Sequence, residues 1–239
     1  MKTELMPAFY ALPRGGWRDY VTLLHLPYTV WHLSYVVIGA SAAPTLHLDR
    51  VGGAVLAFFL AVGIGAHALD EFRGRPLGTS IRDDHLIAIA ALSLCGAVAI
   101  GVLAILTISL WAAPFVLFIV VAYNLELFKG WFHSDVWFGV AWGAFPALTG
   151  YWASAQRLDL QGLLVATGCL VLALAHRTLS RQARTLRRKA RAATGSVVYK
   201  DGHTEAITIP YLLATPETAL RLIGLSVTLL ALGLLAGRL

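Results

Sequence analysis

Residues 86–127 are apolar with almost no break. These ~40 residues are about twice the ~20 that one helix needs to cross a bilayer. Few folds accept such a stretch. In lipid, only helices and closed barrels satisfy their own backbone groups. A turn at Thr107-Ile108-Ser109 divides the run into two spans, with Pro114 in the first turns of the second, where proline is tolerated. Apolar runs at 21–42, 51–69, 136–155, 160–176 and 219–235 complete a set of about seven spans. Charged residues make up 13% of the chain, against about 25% in a soluble domain. The expectation is an all-α integral membrane protein: one domain over residues 1–239, a bundle of about seven transmembrane helices, with no separate soluble block.

The net charge of +6 reads as membrane orientation rather than nucleic-acid affinity. With the N-terminus in the cytoplasm and seven alternating spans, every one of the 19 Lys and Arg except Arg50, Arg157 and Arg238 falls on the cytoplasmic side, as the positive-inside rule requires. Residues 1–19 then form an interfacial arm. Its apolar patch is broken by Pro7 and Pro13, so no cleavable signal is expected. Residues 177–215 form a basic cytoplasmic loop. Within it, 197–209 reads as a β-hairpin turning at Asp201-Gly202. The basic run serves either as a positive-inside anchor or as a site for diphosphate or anionic headgroups. Cys95 and Cys169 lie in apolar runs and suggest no disulfide framework. Gly139 and Gly143 have the small-xxx-small spacing that lets helices approach closely.

The chemistry concentrates at residues 65–79, Gly-Ala-His-Ala-Leu-Asp-Glu-Phe-Arg-Gly-Arg-Pro-Leu-Gly-Thr. His67, Asp70 and Glu71 stand at i, i+3 and i+4, on one helical face at the membrane edge. Carboxylates there are costly unless paired, hydrated or metal-bound. Such a cluster can hold a cation. It can equally be a set of helix-end ion pairs, Asp70 with Arg73 and Glu71 with Arg75, with Asp83 and Asp84 capping the next helix. The topology puts this stretch, the 126–135 connection and His176-Arg177 on one side of the membrane, where they can converge on one cavity mouth.

With these residues in view, the chain resembles the UbiA superfamily of intramembrane prenyltransferases over residues 20–180. The similarity rests on Tyr123-Asn-Leu-Glu-Leu-Phe-Lys129 followed by the Gly/Ala/Trp-rich 138–152, on Arg75-Pro76-Leu77-Gly78-Thr79 after an acidic motif ending in Asp70, and on Leu26-Pro27-Tyr28-Thr29. Ala66 and His67 stand where the family's first motif has Asn and Asp. The region after the sixth span carries no carboxylate, and the family usually has nine spans. The resemblance implies transfer of an isoprenoid from a prenyl diphosphate to a lipophilic acceptor, in a bacterial or archaeal plasma membrane. Asp70 and Glu71 are then the ligands of a single Mg²⁺. Asp70, Glu71 and His67 are the catalytic set, and Arg73, Arg75, Tyr123, Lys129, Arg177 and Arg181 bind substrate. Arginines would replace the second metal. Trp31, Tyr35, Phe58, Tyr123, Trp142 and Phe145 would line an apolar chamber. Two alternatives stay open. One is a non-catalytic subunit or scaffold that keeps a lipid-binding chamber, with a protein partner. The other is a metal or haem site built from His32, His67 and His176, since imidazole suits Fe, Cu or Zn.

Overall fold

The computed structural model describes residues 6–109, 118, 122–123 and 126–239. It is mostly helical: α1 Trp17–Leu23, α2 Leu26–Ala42, α3 Leu48–Phe58, α4 His67–Gly74, α5 Asp83–Ile108, α6 Asp135–Gly139, α7 Phe145–Ala155, α8 Leu160–Lys189 and α9 Ile209–Ala236. The π-helical segments Phe59–Ala66 and Val140–Ala144 join α3 to α4 and α6 to α7. Among the described residues, four helices are long and apolar enough to cross a membrane: Leu48–Gly74 taken as one, α5, α8 and α9. Helices α1 and α2 pass the same test together, across a 41° bend. The fourth expected span, with Pro114, lies almost wholly outside the described residues. Large side chains such as Leu92, Leu106, Leu164 and Leu229 are exposed, which is compatible with a surface that faces lipid.

Several boundaries differ from expectation for local reasons. The first span is broken because Pro27 has no N–H for the Leu23 carbonyl, and His25 takes a left-handed conformation with φ 46°. Helix α5 ends at Ile108 with Ser109 left-handed, at the expected turn; what immediately follows lies outside the described residues. The basic run after residue 176 is helix rather than loop, since α8 continues to Lys189. Its Arg and Leu are strong helix formers, and its cationic last turn suits the helix dipole. The hairpin pairs Ser196–Val198 (β1) with Thr204–Ala206 (β2), antiparallel, Val197 opposite Glu205. Its connection is the longer loop 199–203, with Gly202 at φ 88°, rather than a two-residue turn.

Helix α2 packs on both α7 and α9, and α8 packs on α9 and on Val140–Ala144. The α2–α7 approach is set by glycines. A Cβ on Gly39 would stand 1.9 Å from the Ala147 carbonyl oxygen, and one on Gly150 would stand 1.9 Å from that of Val36. Gly143 fits against Cys169 and Leu170 of α8 in the same way. At one end of the bundle, the last carbonyls of α7 are satisfied by side chains: Thr45 Oγ1 donates to Ser154 at 2.9 Å and Arg50 to Ala153 at 3.3 Å.

Substituting alanine at Gly39 or Gly150 forces backbone apart and is expected to cost about 1–3 kcal/mol. The exposed Gly168, with open space around it, is the control, and alanine there is expected to be neutral or stabilising. Thermal unfolding in detergent separates the two. Equal melting shifts would contradict the close α2–α7 contact.

Candidate functional site

The two neighbouring carboxylates of α4 have different fates. Glu71 is 0% exposed. It accepts hydrogen bonds from the backbone N–H of Leu77 at 2.9 Å, from that of Thr79 at 2.7 Å and from the Thr79 hydroxyl at 2.9 Å. Arg75, left-handed at φ 49°, ends α4. It reaches forward to the Ile81 carbonyl at 2.6 Å and to the Asp83 carboxylate. Asp19 accepts from the backbone N–H and hydroxyl of Ser80. The Arg75–Thr79 motif is therefore a loop folded around one buried anion. The ion pairs suggested by spacing, Asp70 with Arg73 and Glu71 with Arg75, do not form: Arg73 pairs with Glu126 at 3.3 Å and Arg75 with Asp83. Asp83 and Asp84 lie in the first turn of α5 without capping it, and Asp84 pairs with Arg82 at 2.8 Å.

Asp70, one residue earlier, is exposed and has no hydrogen bond or ion pair among the described residues. The charges it meets are chiefly those of Arg188 and Arg184. These two belong to a stripe on α8 formed by Arg177, Arg181, Arg184 and Arg188, spaced i, i+4, i+7 and i+11. The stripe divides in two. Asp135 neutralises its first half, accepting from Arg177 at 2.5 Å and Arg181 at 2.8 Å. The hydrogen bond from Arg177, helped by both charges, holds the Asp135 carboxyl below the usual range. In the second half, Arg184 has no partner among the described residues, and Arg188 gives only its Nε–H, to the Pro7 carbonyl at 3.3 Å. Tyr10 and Tyr28 complete this surface, each within reach of the charges of Arg184 and Arg188. Burial, with Tyr28 beside it, pushes the Tyr10 hydroxyl well above an ordinary phenol.

The N-terminal arm closes one side. Arg187 donates to the Met6 carbonyl at 3.0 Å and holds Glu217 of α9 with two nitrogens. The Tyr10 hydroxyl meets His25 Nδ1 at 2.8 Å, and His25 stacks on His67 with centroids 4.0 Å apart. Both π segments present a carbonyl to an imidazole. His67 Nδ1 lies 3.1 Å from the Gly63 oxygen, and His32 Nδ1 lies 2.8 Å from that of Trp142. Pro146 has no N–H to offer Trp142, so His32 supplies the donor. A carbonyl only accepts, so in both rings Nδ1 carries the proton. His176 stacks on Trp31 at 3.9 Å. The three imidazoles of the metal alternative thus face different partners. Among the described residues, no group of three His, Cys, Asp or Glu side chains could hold a metal ion.

Tyr123 stacks on His133 and packs on Trp142, and Arg177 lies 5.9 Å above its ring. Its hydroxyl is buried without a partner among the described residues. Lys129 is exposed and unpaired among them, at φ 60°. The aromatics expected to line a chamber pack on one another instead. Tyr123, Trp142 and Phe58 share one core cluster, against which Phe145 packs, while Trp31 and Tyr35 belong to another. Sequence reasoning named Asp70, Arg177 and Arg181 singly and offered the basic run as a diphosphate site without singling out Arg184 or Arg188; Tyr28 entered only through the 26–29 motif, and Tyr10 not at all. The spacing of the four arginines could have found Arg184 and Arg188. Compared with protein-family models, curated proteins and solved structures, the chain matches none.

Glu71→Ala is expected to destabilise the protein by about 3 kcal/mol or more, because three donors to an ionised group lose their acceptor. Asp70→Asn should leave thermal stability within about 0.5 kcal/mol. A reversed order would contradict the division of labour between the two carboxylates. Asp135, with its lowered pKa, adds stability that is complete above its unfolded value of about 3.9 and is lost as pH falls through the folded value. Asp135→Asn should therefore be the less stable form at neutral pH, and the gap should close in acid. A gap independent of pH in unfolding titrations would contradict the pairing.

Proposed function

We propose that the chain is a UbiA-like membrane prenyltransferase of about seven spans, with its N-terminus in the cytoplasm. It would move an isoprenoid from a prenyl diphosphate to a lipophilic acceptor. The observation that carries this reading is Asp70, unpaired among the described residues and within reach of the charges of Arg184, which has no partner among them, and of Arg188, which gives only its Nε–H. An acidic group within reach of the charges of two guanidiniums suits a ligand that brings both phosphate oxygens and a divalent cation. As the allylic C–O bond breaks, its electron pair stays on the diphosphate. Arg184 and Arg188 would stabilise that developing charge, and the Tyr123 hydroxyl, without a partner among the described residues, could donate to a phosphate oxygen. The acceptor would bond to the allylic carbon and give up its proton to the departing diphosphate or to water.

The donor set admits a Mg²⁺ ion only in a limited way. Glu71 is fully engaged with its loop, which leaves Asp70 as the protein ligand. Mg²⁺ commonly takes one or two carboxylates and completes its shell with water and substrate phosphate, and when bound it would supply charge to the leaving oxygens. His67, stacked on His25, positions α4. Arg75, Arg177 and Arg181 shape the site through their ion pairs, while Arg73 and Lys129 lie at its exposed margin.

A second reading is a non-catalytic membrane subunit that binds a lipid diphosphate. It is favoured by the number of motif residues, Glu71, Arg75, Arg177 and Arg181, already engaged within the protein. Incubation with labelled prenyl diphosphate and candidate acceptors separates the two. Turnover that falls at least a hundredfold in Asp70→Asn supports the enzyme. Saturable binding without turnover supports the subunit. Turnover unchanged by Asp70→Asn would remove Asp70 from the mechanism.

A further inference from the structure

The far end of the bundle holds a cavity of about 500 Å³ between α3, α5 and α7, within the size range of small-molecule sites. One wall is Ala54, Ala57 and Ala61, and the facing wall is Ala97, Gly101 and Ala104. Small residues on facing helices usually draw the helices together; here they leave room. From Arg50 to Ala61 the wall is about 16 Å deep at 1.5 Å per residue. One leaflet of a hydrocarbon core ~30 Å thick measures about 15 Å. The cavity thus runs from a charged rim to mid-membrane, one leaflet deep.

The rim residues are Asp49 and Arg50, adjacent on the first turns of α3. Arg50 spends one N–H on the Ala153 carbonyl at 3.3 Å, and its other donors are uncommitted among the described residues. Asp49 is exposed and unpaired there. An acid and a base side by side above an apolar shaft match a zwitterionic amphiphile, phosphate to guanidinium and ammonium to carboxylate. We infer that this cavity is a lipid site that takes one acyl chain of an amine-headed phospholipid, with its phosphate on Arg50 and its ammonium on Asp49. The site lies at the opposite end of the helix from Asp70 and does not depend on the prenyl-transfer reading.

The test is native mass spectrometry of the full chain, delipidated in mild detergent and offered phosphatidylethanolamine or phosphatidylglycerol. One phosphatidylethanolamine should bind, at least tenfold more tightly than phosphatidylglycerol. Ala57→Phe, which plugs the shaft, should weaken binding at least tenfold. Asp49→Asn should remove the headgroup preference and leave binding of a chain. If Ala57→Phe unfolds, Arg50→Gln carries the test, because it spares the shaft and should weaken phosphatidylethanolamine by a similar factor. Equal affinity for the two headgroups, binding untouched by Ala57→Phe or Arg50→Gln, or no bound lipid at all would each overturn the inference.

Discussion

A carboxylate buried at the end of a helix apolar enough to span a membrane has to be compensated, and the compensation of Glu71 organises one end of this protein. An isolated buried carboxylate is costly in apolar surroundings. Glu71 avoids that cost by gathering the backbone of Leu77 and Thr79 around itself. The loop so formed fixes Arg75 and the start of α5, and with them the direction in which α4 presents Asp70. Asp70 is left facing the far half of the α8 stripe.

The same logic divides the positive charge. Four arginines share one face of α8, and a single acidic residue, Asp135, takes the first two. Arg187, on the next face, is tied to Glu217 and the N-terminal arm. Among the described residues, Arg184, most of Arg188 and, within reach of their charges, Asp70 are left uncommitted. On the proposed reading an anion would bind here, because the neighbouring charges are paired and these are not.

The helices were legible because their signals are periodic and long: among the described residues, five of the expected spans fall on helices, or a bent helix pair, long and apolar enough to cross a membrane. The hairpin was legible through its β-rich flanks and Asp201-Gly202. The end of α8 was not, because a basic run reads equally as loop or helix until Asp135 is known to fold back on it. The division between Asp70 and Glu71 was also invisible, since adjacent carboxylates look alike in sequence and only the path of the 75–79 loop distinguishes them. Of the close helix contacts, Gly143 was signalled by its spacing with Gly139. Gly39 and Gly150 lie on different helices, and no local pattern joins them. The π segments, which let His32 and His67 find carbonyls, have no clear sequence signature beyond Pro146 and the glycines at 63 and 65.

The central claim is that Asp70, Arg184 and Arg188 form one diphosphate-binding surface. Calorimetric titration of the detergent-solubilised chain with inorganic pyrophosphate, with and without Mg²⁺, tests it most directly. The account predicts Mg²⁺-dependent binding that weakens at least tenfold in Arg184→Gln/Arg188→Gln and is retained in Arg73→Gln. Pyrophosphate binding that is unaffected by the double substitution, or absent from the unaltered protein, would contradict it.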